Sequence, residues 1–144
     1  MQKLFTIGYE RGTQPDLIGK LKAAGVQVVI DVRAIAASRR AGFSKTVLAA
    51  SLAAEGIEYV HLRALGTPKA GRDAARKGRV AEMREIFEGH LAEPDAIVDM
   101  GRAEQIAAGR PAALLCFEAD ACGCHRAIVA ERLVEARPFE VINL

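Results

Sequence analysis

The stretch Val26-Gln27-Val28-Val29-Ile30-Asp31-Val32 decides the fold of this chain. Its β-branched side chains fill both alternating faces, which is typical of a strand buried in a parallel sheet. Similar short β-rich runs lie at residues 4–7, 57–62, 112–117 and 139–142, and helical patterns lie at 16–24, 44–54, 80–90, 95–108 and 124–136. Strands that alternate with helices predict one three-layer, Rossmann-like α/β domain over residues 1–144, with about five mainly parallel strands.

A basic segment interrupts this alternation after the third strand. Gly66, Pro68 and Gly71 occur between residues 63 and 77, so we expect a loop there. The stretch 63–79 contains one acidic residue, Asp73, against six basic residues: Arg63, Lys69, Arg72, Arg76, Lys77 and Arg79. These charges predict either a basic rim for a phosphate-bearing ligand or a solvated mobile loop.

The composition limits the class of protein. The chain has 144 residues, a hydrophobic content of 51% and a net charge of +2, which fits a globular domain without strong overall attraction to nucleic acid or an acidic membrane. No run of eighteen apolar residues occurs, so we expect no membrane span. The cysteines cluster between residues 116 and 124, and this spacing favours free thiols in a reducing, cytoplasmic setting.

Polar and charged side chains follow the predicted strands at the points where the strands end. Because the carboxyl ends of parallel strands meet at one edge of a sheet, and ligands bind at that edge, we expect these side chains to form one pocket. The candidate site residues are Tyr9, Asp31, Arg33, Ser38, Arg39, His61, Glu118, Cys124, His125 and Arg126.

Three of these residues are candidates for catalysis. Cys124 begins a predicted helix, where the helix dipole and the nearby Arg126 are expected to lower the thiol pKa and make a nucleophile. We expect Cys124, and neither Cys116 nor Cys122, to be the reactive thiol. His61 is the candidate for proton transfer, and Asp31 is expected to orient a ligand. The alternatives are a helix-capping Cys124 and a structural His61.

The remaining candidates predict the ligand. Arg33, Arg39 and Arg126 would bind an anion, so the expected partner is an anionic small molecule or a nucleic acid. The sequence contains neither a G-x-G-x-x-G run after the first strand nor a Walker A motif, and no cofactor is expected. A non-catalytic module that binds nucleic acid or another phosphate ligand is the competing class.

A zinc-stabilised interaction domain is a weaker alternative. Its ligands would be Cys116, Cys122, Cys124 and His125, but structural zinc sites usually contain two C-x₂-C-like pairs, which this sequence lacks. Adjacent Cys and His side chains also point apart. The sequence therefore predicts no metal site, and the enzyme-like anion pocket remains the preferred hypothesis.

Several segments together resemble one known family. TIGYE, VVIDVR, SRRAGFSK, YVHLRALG and ALLCFEADACGCHR occur in order between Thr6 and Asn143, and they resemble the domain of unknown function 488 (DUF 488) family. The residues that match the family pattern are Asp31, Arg33, Ser38, Arg39, Phe43, His61, Leu62, Gly66, Cys116, Glu118, Cys124, His125 and Arg126. The chain departs from the pattern at Tyr9-Glu10, where the family often has His-Ser. The resemblance implies a fold and a pocket without implying a reaction.

Overall fold

The computed structural model describes residues 1–118 and 124–144. The described strands are β1 (Gln2–Gly8), β2 (Val28–Asp31), β3 (Glu58–His61), β4 (Ala112–Cys116) and β5 (Phe139–Asn143). The helices are α1 (Gln14–Ala23), α2 (Lys45–Ala54), α3 (Lys69–Arg76), α4 (Val80–Leu91), α5 (Pro94–Gly109) and α6 (His125–Ala136), with a short 3₁₀ helix at Arg63–Leu65.

The strands form one sheet in the order β3-β2-β4-β1-β5, and all its pairings are parallel. The predicted α/β architecture is therefore confirmed. The residues of β2 are all buried, as the apolar run around them predicted. Since β4 lies between β1 and β2, the carboxyl ends of these three strands are neighbours: Gly8 pairs with Cys116, and Asp31 with Leu115.

Helices cover both faces of the sheet because alternate strand residues point in opposite directions. On one face, Phe5 and Val29 pack with apolar residues of α1 and α2. On the other face, Leu4 and Val28 pack with residues of α4, α5 and α6. The result is three layers with two apolar cores. Among the described residues, no helix is both long enough and apolar enough to cross a membrane.

The prediction of a loop over residues 63–77 is wrong, because α3 occupies Lys69–Arg76. Pro68 stands at the N-cap, a position that needs no backbone N–H within the helix. Gly71 is buried, and a Cβ added to it would lie 2.5 Å from Thr67 Cγ2, so the glycine permits close packing and does not form a turn. Pro68 therefore caps the start of α3 and Gly71 allows it to pack closely, although the two residues had predicted a loop.

Candidate functional site

A cavity of about 810 Å³ lies at the carboxyl ends of β1, β2 and β4. The segments after these strands contribute Tyr9, Arg33 and Glu118, and the first turn of α6 contributes His125. The loop before α2 adds Ser38 and Arg39. Six of the ten predicted site residues thus line one cavity, at the edge of the sheet where the strand order predicted it.

The lining of this cavity has an excess of positive charge. Arg33, Arg39, Arg72 and Arg76 contribute guanidinium groups, against the carboxylate of Glu118. Arg72 and Arg76 come from α3, the helix within the basic segment, where a spacing of four residues places them on one helix face. An anion is therefore the ligand that the lining favours.

Arg33 is held rigidly in the wall of the cavity. Its Nε and Nη2 donate to the two oxygens of Asp31 at 2.9 and 2.7 Å, and its Nη1 donates to Tyr9 Oη at 3.0 Å and to the Phe43 carbonyl oxygen at 2.8 Å. Burial alone would lower the pKa of Arg33, but Asp31 outweighs it and raises this pKa above its usual value. The side chain of Asp31 also accepts a hydrogen bond from Tyr59 Oη. The pKa of Tyr59 is raised mainly by burial and further by this contact.

Four predicted residues do not line the cavity. Asp31 and Arg126 are fully or almost fully buried behind it, at 0% and 1% exposure, and Cys124 is 3% exposed. His61 ends β3, and its Nε2 lies 2.8 Å from the carbonyl oxygen of Arg33. His61 therefore contacts the backbone beside the site and not the cavity itself.

Cys124 occupies the N-cap of α6, as the sequence predicted, and its sulfur accepts from the Arg126 backbone N–H at 3.5 Å. The expected fall of its pKa is wrong. The contact with Cys116 is the largest cause that raises the pKa of the Cys124 thiol, and burial is the next largest. The charge of Glu118 raises this pKa further, so these effects together outweigh the helix terminus. Cys122, which we expected to be less reactive than Cys124, lies outside the described residues.

Glu118 joins the buried cysteines to the cavity. The thiols of Cys116 and Cys124 donate to Glu118 Oε2 at 3.3 and 3.2 Å. Burial acts to raise the pKa of Glu118, but hydrogen bonds from its own backbone and from the two thiols together hold this pKa below its usual value. Arg126 adds a guanidinium group, whose Nη1 lies 2.9 Å from Cys116 Sγ and also donates to the Glu118 carbonyl oxygen.

His125 has a defined orientation beside this group. Its Nε2 lies 2.7 Å from the Val32 carbonyl oxygen, which accepts a hydrogen bond, so Nε2 carries the proton and Nδ1 has the free lone pair. Nδ1 lies 3.7 Å from Cys124 Sγ. Burial lowers the pKa of His125, only partly offset by the Val32 carbonyl. Within the described chain, the residues close enough to hold a metal ion are Cys116, Glu118 and Cys124.

Sequence reasoning missed the apolar part of the lining. Ile35 and Phe117 line the cavity and are 58% and 42% exposed. Phe117 meets the ring of Tyr9 edge-on, with the ring centroids 5.4 Å apart. Phe117 directly follows β4 and Ile35 lies four residues after β2, so an apolar residue just beyond the end of a buried strand was the available signal.

The fold and this cavity define an α/β domain with a basic site at the carboxyl edge of a parallel sheet. A comparison with known protein families identifies the family of this domain. The model of the family described as Domain of unknown function DUF488 matches residues 14–133. The chain belongs to this family, and the predicted resemblance is confirmed. Neither the search of curated proteins nor the search of solved structures found a match.

Proposed function

We propose that this domain is an enzyme-like protein that binds a phosphate-bearing ligand of nucleotide size in the cavity at the carboxyl edge. The observation that supports this proposal is the basic lining of the cavity of about 810 Å³. Concave sites of roughly 300–1,000 Å³ are typical of small-molecule ligands. Phosphate oxygens are good partners for arginine because the planar guanidinium donates two parallel hydrogen bonds.

The phosphate end of the ligand belongs with Arg39, Arg72 and Arg76. Arg39 is exposed in the lining, whereas Arg33 already donates to Asp31, Tyr9 and the Phe43 carbonyl. Arg76 pairs with Asp73, but its side chain is 72% exposed, so it can turn toward an anion at little cost. In this proposal Arg33 shapes the site and the other arginines bind the anion.

A planar, partly apolar group fits the apolar part of the lining. Phe117 and Ile35 offer exposed apolar surface at the cavity, and Phe117 is supported from the side by Tyr9. Aromatic side chains bind nucleobases by stacking, with a contribution of about 1–3 kcal/mol per base. A nucleobase joined to phosphate therefore satisfies both parts of the cavity.

In this proposal Glu118 moves protons on such a ligand, because it lines the cavity. His125 also lines the cavity, but its Nε2 bonds to the Val32 carbonyl and its Nδ1 faces Cys124 Sγ, so both ring nitrogens are already engaged. Cys124, His61 and Asp31, which the sequence suggested for catalysis, lie outside the lining and would support the site from behind or beside it. Proton transfer needs direct reach to the ligand, or reach through one water. We therefore propose Glu118 for acid–base chemistry on the ligand.

Isothermal titration with nucleoside monophosphates and inorganic phosphate tests the proposal. Arg76→Ala should weaken nucleotide binding by roughly 10-fold or more, the usual effect of losing a charge-assisted hydrogen bond. Arg102→Ala is the matched control, since Arg102 pairs with Asp99 on the surface of α5 and does not line the cavity. Absence of binding at low salt, or equal losses in both variants, would contradict the proposal.

A nucleic-acid-binding module is the second candidate, favoured by the charge around α3. Lys69, Arg72, Arg76 and Lys77 lie along or directly after this helix with Asp73 as the acidic residue among them. Neutralised phosphates release counterions, so binding of a single-stranded oligonucleotide should weaken steeply as salt rises. A Lys69→Ala/Lys77→Ala variant that lowers the salt dependence while mononucleotide binding stays unchanged would favour this candidate.

A further inference from the structure

The buried group behind the cavity contains two thiols that converge on one oxygen atom. Cys116 Sγ lies 3.3 Å from Glu118 Oε2 and Cys124 Sγ lies 3.2 Å from the same atom. All three atoms lie within 4.8 Å of one another. In a tetrahedral zinc site the spacing is about 3.5 Å between sulfur and oxygen ligands and about 3.8 Å between two sulfurs, as worked from the usual bond lengths. The two sulfur–oxygen distances, 3.3 and 3.2 Å, are close to the first value, and the two sulfurs lie within 4.8 Å of each other.

We propose that Cys116, Glu118 and Cys124 bind one soft divalent cation of the zinc class. Two thiolates select such an ion over magnesium or calcium, which take oxygen ligands. Binding of the ion leaves the charge of this buried group unchanged, because the two thiol protons leave to solvent as one divalent ion enters.

The surroundings of the three ligands suit a metal-bound form. Arg126 Nη1 lies 2.9 Å from Cys116 Sγ, where an N–H donor can support a metal-bound thiolate. Outer hydrogen bonds of this kind hold ligands in place and tune the metal. Cys116 closes β4 and Cys124 caps α6, so both ligand positions are set by regular elements.

The proposed site adjoins the cavity and does not depend on its ligand. Glu118 lines the cavity, whereas the two cysteines are buried behind it. An ion on these three ligands would keep a fourth coordination position for a water or another donor. Zinc ions with three protein ligands and one open position are typical of catalytic sites. The ligand set differs from the one considered from sequence, because Glu118 takes part and neither Cys122 nor His125 does.

Cobalt(II) binding to the metal-stripped, reduced full-length protein tests the proposal. We expect one equivalent to bind, with a thiolate-to-cobalt charge-transfer band and the visible spectrum of a four-coordinate ion, and zinc should displace it. Cys116→Ser, Cys124→Ser and Glu118→Gln should each weaken binding by about 100-fold or more, above the usual effect of losing an outer-sphere partner. Cys122→Ser is the control and should keep both the stoichiometry and the band.

A second measurement on the unmodified sequence avoids variants that fail to fold. Cys116 and Cys124 are buried and react only when the domain opens, so their alkylation by a small maleimide is followed to measurable extent and mapped by mass spectrometry. Zinc bound to the closed form should slow this alkylation, while labelling of Cys122 is unchanged. Cobalt binding without the charge-transfer band, loss of binding in Cys122→Ser, or equal labelling with and without zinc would each overturn the proposal. Nucleotide titration of the metal-stripped protein tests the cavity separately, so the two proposals fail independently.

Discussion

Replacing Asp31 by asparagine removes the charge that faces Arg33 while nearly preserving the shape of the side chain. Both residues are buried, at 0% and 5% exposure. Two guanidinium nitrogens and the backbone N–H of Arg33 donate to the carboxylate at 2.7 to 3.0 Å. Asparagine offers one acceptor oxygen and places an NH₂ group where the second carboxylate oxygen of Asp31 was. The guanidinium would then remain buried without its counter-charge.

The expected cost is large because burial prevents water from replacing the lost partner. Removing one member of a buried ion pair costs about 3–5 kcal/mol. An exposed pair provides the comparison: Lys22 and Glu55 are 2.9 Å apart, with side chains 55% and 41% exposed. Glu55→Gln should cost at most about 1 kcal/mol. Since whole domains are stable by about 5–15 kcal/mol, the Asp31 variant would lose a substantial part of the total.

Urea denaturation of the two variants and the unmodified protein measures this difference. We expect Asp31→Asn to lower the midpoint strongly with an unchanged slope, since the slope follows the surface exposed on unfolding. Glu55→Gln should leave the midpoint nearly unchanged. A loss below about 1 kcal/mol for Asp31→Asn would refute the reasoning, because it would mean that the buried guanidinium does not need this carboxylate.

Three further outcomes are expected. Gly66→Ala should destabilise the domain by at least about 1–3 kcal/mol in the same assay, since the new Cβ would lie within 2.6 Å of Ala34 Cβ and closer still to its backbone. Tyr9→Phe should cost about 1–2 kcal/mol and weaken ligand binding, because Arg33 Nη1 loses an acceptor at 3.0 Å; unchanged stability would contradict this. Cys124, 3% exposed, should react with iodoacetamide at least roughly tenfold more slowly in the native than in the urea-unfolded protein, and equal rates would show that it is accessible.

The strands and the edge that bears the site could be predicted because local sequence determines them. All residues of Val28–Asp31 are buried, and the residues that follow β1, β2 and β4 contribute to one cavity. Periodicity and the parallel topology suffice for that. They do not give the depth of a side chain, which depends on neighbours that are distant in sequence.

The burial depth of the side chains explains why the structure corrects several of the site predictions. The N-cap position of Cys124 was predictable, but the raised pKa of its thiol comes from Cys116 and Glu118, which approach only after β4 and α6 have packed. Arg33 was expected to bind an anion, but Asp31, Tyr9 and Phe43 already accept its hydrogen bonds. In α3, the burial of Gly71 changes a turn signal into a packing contact. Each correction comes from a tertiary contact that spacing along the chain does not show.

The order of the strands also has a consequence for the rate at which this domain folds. Thr6 and Asn143 are hydrogen-bonded across β1 and β5 although they are 137 residues apart in sequence. Bringing such distant segments together costs about 3 kcal/mol more chain entropy than closing a loop of hairpin size. Every pairing in the sheet joins parallel strands, which tight turns cannot connect. The domain should therefore fold more slowly than a helical bundle of equal length, and β1 gains its partners only after the segments that contain β4 and β5 have been synthesised.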